Sequence, residues 1–138
     1  MKYNQGDIIL LPYPYTDLSN TKQRPAVIIS KDAVNKQNYI VAKITSVIRW
    51  DKFSFPVNPA DLDRELKYPS EVRTNEVFTV SPTIIIKKFA SLKKEALKRL
   101  TESIKDNISV EWWTVADLLL EKRSEYWSTS LFRAKIKY

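Results

Sequence analysis

The sequence predicts a mainly β protein, a small antiparallel barrel followed by C-terminal helices. Short apolar runs separated by Pro, Asn, Asp and Ser fill the first two-thirds of the chain, which is typical of short strands joined by turns. After residue 91 the apolar spacing changes from two to three or four, which indicates a helix. With 138 residues, 43% of them hydrophobic and 28% charged, the chain has the size and composition of a globular domain.

Six strands are predicted, each from an apolar or β-branched run. The run 53–57 alternates with a period of two, and Pro56 within it makes that strand an edge or a bulged one. The six predicted strands are 8–11, 26–29, 39–45, 53–57, 72–80 and 83–86.

The helix and the tail follow the strands. Ser91 is predicted to be the N-cap of an amphipathic helix whose apolar positions run from Leu92 to Ile108. Residues 109–138 contain an aromatic-rich helical pattern and then an alternating strand pattern with one apolar and one basic face. We therefore expect two parts: a barrel with its helix over 1–108, and a helix–strand extension over 109–138 that packs on the domain or extends a dimer.

The composition excludes several chemistries. The chain has no cysteine and no histidine, so Ser-His-Asp triads, Cys-His pairs and ordinary zinc sites cannot be built. The formal net charge of +7 favours a polyanionic partner such as nucleic acid or a membrane surface. The chain has no apolar run of membrane-spanning length, so we expect a cytoplasmic protein that does not enter a membrane. We also expect that it needs no cofactor or metal.

The loop 12–24 offers the groups that bind RNA. It contains two tyrosines, several hydroxyls and two cations, and RNA recognition uses aromatic stacking together with donors to phosphate. The alternative is a polar surface loop whose tyrosines cover the edge of the core. In the RNA-binding interpretation, the loop 12–24 contributes the candidate residues Tyr13, Tyr15, Thr16, Asp17, Ser19 and Lys22.

At this loop the sequence resembles a known family. The run GDIILLPYPYTDLS from Gly6, followed by RPAVIIS from Arg24, is similar to the first motif of the MazF/PemK-like toxins. Ile44-Thr45-Ser46 resembles the second motif, and the run YPSEVR ending at Arg73 resembles the third. The resemblance covers roughly residues 5–107.

The resemblance implies a small SH3-like barrel of the MazF/PemK/CcdB type, usually dimeric. It implies an endoribonuclease toxin of a type II toxin–antitoxin system, with single-stranded RNA, a cognate antitoxin and a second copy of the chain as partners. Arg24, Thr45 and Arg73 match the family's active-site positions, with Ser46 and Asn75 beside them.

Metal-independent cleavage by the neighbouring 2′-hydroxyl suits these residues, because a guanidinium stabilises a phosphorane and hydroxyls align the phosphate. Arg73 could instead pair with Glu71 or Glu76. Asn75 stands where relatives often carry Asp, and Ser19 where some carry Glu. The general base is therefore open between Asp17 and Glu71.

Two other functions remain open from the sequence. One is a nucleic-acid-binding barrel with weak or no catalysis, which Asn75 and the missing histidine favour. The other is a CcdB-like toxin acting on a topoisomerase. The first and third motifs match the RNA-cleaving branch better, and fold alone does not decide between them.

Overall fold

A six-stranded antiparallel sheet and one helix make up the part of the chain that the structure describes. The structure is a computed structural model and describes residues 2–12 and 22–110. The chain divides into two units at Asn107, and all of these elements belong to the first unit. They are β1 (Asp7–Pro12), β2 (Gln23–Ile28), β3 (Tyr39–Thr45), β4 (Ser54–Val57), β5 (Ser70–Val80), β6 (Lys87–Ser91) and α1 (Lys94–Asp106).

The sheet curls so that the segments following its two edge strands meet. The strand order is β4-β5-β3-β2-β1-β6, so β4 and β6 are the edges. Leu62 forms a β-bridge with Leu92, and the Lys93 N–H donates to the Asp61 carbonyl at 2.8 Å. The result is a half-barrel joined at one end, and the predicted mainly β, antiparallel barrel class is confirmed.

A large bulge bends β5. Ala42 of β3 lies opposite Val77, but Ile44 lies opposite Val72, so residues 73–76 of β5 are matched by Lys43 alone. Extra residues in one strand of a pair increase its local bend and re-aim its side chains. Beyond the bulge, the start of β5 pairs with β4, and Pro56 is exposed on this edge strand as predicted.

Apolar side chains pack on both faces of the sheet. One face, with Ile8, Val27 and Ile44, packs under the helix residues Ala96 and Leu100. The opposite face carries a second apolar cluster. The polar residues of the candidate site lie on this same face. The buried members of this second cluster are Tyr3, Ile9, Leu11, Ala26, Ile28, Tyr39, Val41 and Val80.

Two sequence predictions at the end of the barrel are wrong. The first is the predicted strand 83–86, where the chain forms a 3₁₀ helix at Pro82–Ile84, started by the Ser81 hydroxyl accepting from the Thr83 N–H. Pro82 stands at the first position of this turn, where its fixed φ suits a helical conformation, and the last strand begins only at Lys87.

The second is Ser91, which is not the N-cap of the helix. It is the last residue of β6, and its hydroxyl donates to Asp7 at 2.8 Å. Lys93 occupies the cap position without a side-chain hydrogen bond. The predicted extension 109–138, apart from residues 109 and 110, lies outside the described residues.

Candidate active site

Arg24 and Thr45 lie opposite each other on neighbouring strands. The β2–β3 register pairs Ala26 with Lys43, and continuing it by two residues places Arg24 opposite Thr45. Directly opposite residues of an antiparallel pair project from the same face of the sheet. The first and second sequence motifs therefore converge at one point, the start of β2 and the end of β3.

Arg73 lies further along the same face. Thr45 is opposite Glu71 of β5, and Arg73 follows Glu71 by two residues, so its side chain points the same way. Ser54 of the edge strand β4 is opposite Arg73 and completes the row. All three predicted catalytic residues thus share one face of the sheet.

Arg24 and Thr45 occupy the accessible part of this face. Arg24 is exposed, while Thr45 is half-buried. The Thr45 hydroxyl oxygen accepts from the Val47 N–H at 3.1 Å, which orients the side chain. Among residues 2–12 and 22–110 no acceptor takes the proton of this hydroxyl, so it is available to donate to a phosphate oxygen.

The other predicted binding residues divide into two sets. Lys22, Ser46 and Asn75 are all exposed, the first just before β2, the second just after β3 and the third within the β5 bulge. The remaining ones, Tyr13, Tyr15, Thr16, Asp17 and Ser19, lie outside the described residues.

Arg73 is buried in an ion-pair network. Its side chain is 3% exposed, and its guanidinium donates to Glu71 at 2.6 Å. It also makes a two-pronged contact with Asp51, at 2.9 and 3.0 Å, and a longer one with Glu76 at 3.4 Å. The Ser54 hydroxyl lies 3.2 Å from the same guanidinium. Arg73 therefore pairs with both Glu71 and Glu76, the two partners of the sequence alternative, and also with Asp51. Arg73 and Glu71 are buried, whereas Glu76 and Asp51 are partly exposed.

The network sets the protonation of its members. Hydrogen bonds from Arg73, aided by the Phe53 N–H, lower the pKa of Asp51 from 3.8 to about 2. Burial alone would raise the pKa of Glu71, but bonds from Arg73, Ser54 and the Arg49 N–H outweigh it, and the pKa is lowered. Bonding to Asp51 raises the pKa of Arg73. The pair Arg73–Glu71 is therefore fully charged at neutral pH.

Glu71 is poorly placed to act as a general base. It is fully buried, and both of its oxygens already accept hydrogen bonds: Oε1 from the Arg49 N–H at 3.1 Å, Oε2 from Ser54 at 2.8 Å and from Arg73. A general base near neutral pH needs a raised pKa and access to the proton. Glu71 has neither, so its observed role is to hold Arg73 and the loop before β4.

Sequence reasoning did not single out two residues of this region. Asp51 is 22 residues from Arg73, and nothing local predicts their contact. Trp50 is 77% exposed and has a φ of +51°. The sequence signal for Trp50 was a single tryptophan surrounded by the charged residues Arg49, Asp51 and Lys52.

The charges of this face fall into two regions. Around Arg73, three carboxylates face two cations, Arg73 itself and Lys43, a local charge of −1. Within the described ranges no three His, Cys, Asp or Glu side chains are arranged to hold a metal ion. At the other end, Arg24 and Lys22 are exposed and basic. The Arg24 end is therefore the more basic part of this face.

Comparison with known families decides the relationship. The family model for the PemK-like, MazF-like toxins of type II toxin–antitoxin systems matches residues 4–108. The chain belongs to this family. Its members are endoribonucleases, and this toxin is assigned the same class of activity. The match ends two residues after α1.

Solved structures share the fold of this MazF-like toxin. The toxin MazF-mt6 of Mycobacterium tuberculosis superposes with a TM-score of 0.61 at 22% identity, covering 77% of this chain and 99% of that one. The MazE–MazF complex from Deinococcus radiodurans gives 0.64 at 13% identity, covering 80% and 99%. An endoribonuclease in complex with its cognate antitoxin, from a mycobacterial species, gives 0.63 at 12%, covering 81% and 100%.

Two further findings complete the comparison. A search of curated proteins gives no match for the toxin. Among the residues that the structure describes, no helix is long and apolar enough to cross a membrane.

Proposed function

We propose that this toxin cuts single-stranded RNA at preferred sequences, without a metal ion, by attack of the 2′-hydroxyl beside the scissile phosphate. The observation that carries the proposal is the β2–β3 register, which when continued places an exposed Arg24 opposite Thr45, where β2 starts and β3 ends. Arginine and a hydroxyl are the groups that such a reaction needs from a protein without histidine.

The reaction forms one bond and breaks one. The 2′-oxygen attacks phosphorus, the bond from phosphorus to the 5′-oxygen breaks, and the products are a 2′,3′-cyclic phosphate and a 5′-hydroxyl. The proton leaves the 2′-hydroxyl, and the 5′-oxygen gains one. In between, the phosphorane carries two negative charges, which the planar guanidinium of Arg24 stabilises with two parallel hydrogen bonds. The Thr45 hydroxyl donates to a phosphate oxygen and fixes its orientation.

The remaining site residues take supporting roles. Lys22, Ser46 and Asn75, all exposed, contact the RNA backbone or bases on either side of the cut. Arg73, whose guanidinium is used by three carboxylates, positions the loop before β4 rather than the phosphate. Because Glu71 is buried and fully bonded, Asp17 remains as the base candidate.

The partners follow from the family. The toxin acts in the cytoplasm as a homodimer and is inhibited by a cognate antitoxin. Support comes from the family match, and from solved relatives of the same fold that are complexes with an antitoxin. The extension 109–138 is proposed to pack on the domain or to extend the dimer.

A binding barrel with weak or no catalysis is the second candidate. It is favoured by Asn75, which cannot accept a proton at neutral pH, and by the buried and fully bonded state of Glu71.

The test is cleavage of a mixed-sequence single-stranded oligoribonucleotide by the full chain in the presence of EDTA, with mapping of the cut ends. We expect discrete cuts that leave a 5′-hydroxyl. A matched oligonucleotide with one 2′-deoxyribose at the mapped cut should resist, since the nucleophile is gone. Cutting of the deoxy substrate at the normal rate contradicts the mechanism, and tight binding without cutting selects the second candidate.

A further inference from the structure

Trp50 is held in an unfavourable position. It lies in the loop between β3 and β4, its φ is +51°, and its side chain is 77% exposed. A left-handed backbone is rare for large side chains because Cβ crowds the following carbonyl oxygen. An exposed indole also gains little from the hydrophobic effect. None of the ring contacts found in residues 2–12 and 22–110 involves it.

The buried network fixes the backbone on both sides of Trp50. Before it, the Arg49 N–H donates to Glu71 Oε1 at 3.1 Å. After it, Asp51 receives both prongs of Arg73, and its Oδ1 also accepts from the Phe53 N–H at 2.9 Å. The Asp51 N–H donates to the Ser54 hydroxyl at 3.1 Å. Trp50 is thus the tip of a loop whose two neighbours are tied to the sheet.

Backbone strain that is held in place by several surrounding contacts is typical of functional positions. Here four hydrogen bonds hold a loop in which the side chain of Trp50 is largely exposed. The backbone that carries Trp50 is therefore pre-organised, and little backbone freedom is lost when something stacks on the indole.

The charge around Trp50 favours a nucleic acid base as the group that stacks. The exposed side chains of Arg49 and Lys52 flank it in the sequence, and the acidic neighbour Asp51 is ion-paired with Arg73. The loop starts directly after Thr45, the last residue of β3. Trp50 therefore lies five residues along the chain from Thr45, which is part of the proposed cleavage site. Aromatic faces beside cations are how proteins bind the bases of single-stranded RNA.

We propose that Trp50 is a base-stacking residue of the RNA site, presented by the Arg73–Glu71–Asp51 network, and that it sets preference for a base near the cut. This inference rests on the proposed function. In it, the network serves to hold the backbone of Trp50 in place, five residues after Thr45. Stacking of this kind acts in both the bound and the transition state, so its loss raises KM more than it lowers kcat.

The test compares three variants with the full-length parent. Trp50→Ala removes the ring, Trp50→Phe keeps a smaller one, and Tyr68→Ala removes another exposed aromatic at the far end of the β4–β5 pair. Tyr68 also has a lysine beside its ring, Lys67 at 5.4 Å, which makes it a matched control. Each is measured for KM, kcat and the base distribution around cut sites.

For Trp50→Ala we expect KM to rise about tenfold, with kcat changed less than about twofold and a relaxed base preference. Trp50→Phe should recover most of the loss, and Tyr68→Ala should behave like the parent. Unchanged KM and unchanged cut sites in Trp50→Ala, with the parent active, overturn the stacking role and leave the proposed function standing.

A binding measurement separates this inference from cleavage. The probe is a single-stranded RNA with 2′-deoxyribose at the cut position, or the all-ribose strand if the parent does not cut. We expect about tenfold weaker binding by Trp50→Ala in either case. Equal RNA affinity, together with a weaker dimer in Trp50→Ala by analytical ultracentrifugation, would show a protein contact and overturn the proposal.

Discussion

Arg24 and Arg73 occupy the same face of one sheet and come from two motifs of one family, but they differ in exposure. Arg24 is exposed at the start of β2. Arg73 is 3% exposed and contacts three carboxylates. A buried guanidinium whose charge is already neutralised by carboxylates cannot stabilise a phosphorane, so the two arginines serve different ends.

The match of a residue to a family motif therefore does not by itself establish what that residue does. The carboxylates that decide the role of Arg73 come from the loop before β4 and from its own strand, and only the fold brings them together. In the proposed mechanism Arg24 acts on the substrate, and Arg73 holds the structure around it. Substitutions on each side of this contrast have different expected consequences.

At the buried arginine the main consequence is a large loss of stability. Arg73→Ala leaves Glu71 charged, buried and without its cation, and we expect the free energy of unfolding to fall by about 3–5 kcal/mol. Urea denaturation measures it. The matched control is the double variant Arg73→Met with Glu71→Gln, which removes both charges and should recover a large part of the loss. Equal stability of Arg73→Ala and parent would contradict a structural role.

A smaller effect of opposite sign is expected at Trp50. Trp50→Gly places at a φ of +51° the residue that adopts this conformation without crowding, and we expect a gain of about 1 kcal/mol in unfolding free energy. Thermal or urea unfolding measures it, with RNA affinity followed in the same samples. A more stable variant that binds RNA less well is the expected outcome. A destabilised Trp50→Gly would show that the indole packs.

The weakest effect is a dependence of stability on acid. The folded state lowers the pKa of Asp51 from 3.8 to about 2 and lowers that of Glu71, so both favour the folded state above their ordinary pKa values. This stabilisation is present above about pH 4.5 and is lost as pH falls towards about 2. Melting curves between about pH 6 and about pH 2 measure it. Asp51→Asn should show a shallower decline, and an identical slope would exclude Asp51 as a source.

Most of the fold could be predicted because most of its strands are local apolar runs in the sequence. The strand 39–45 coincides with β3, and the run 8–11 lies within β1. The last strand was missed because β6 is an edge strand with exposed Lys87 and Lys88, so its pattern is not apolar. The apolar run before it contains Ile84 and Ile85, which pack on the core from a 3₁₀ turn.

Part of the family motif is explained by folding alone. Gly6 has a φ of +92°, and an added Cβ would lie 3.3 Å from a Leu97 methyl group. Asp7 is buried, accepts from the Asn4 N–H and from Ser91, and pairs with Lys88. The observed contacts of these two motif residues hold the start of β1 against the end of β6 and against the helix that follows it.

The candidate site could be predicted only in part. Arg24 and Thr45 follow from the motifs, and the register brings them together. The burial of Arg73 could not be foreseen, because its partner Asp51 is 22 residues away and the β5 bulge sets its direction. The predicted residues at 13–19 lie outside the described part of the chain.

The assignment of Arg24 to the substrate is tested by the single-turnover rate of RNA cleavage by Arg24→Ala, measured together with its melting temperature. We expect a rate at least about 100-fold below the parent, the scale for losing one transition-state charge donor, in a variant whose melting curve shows that it is still folded. Arg24→Lys should recover little, and Arg64→Ala, an exposed arginine elsewhere, should cut like the parent. A folded Arg24→Ala that cuts RNA at the parent rate would contradict this assignment.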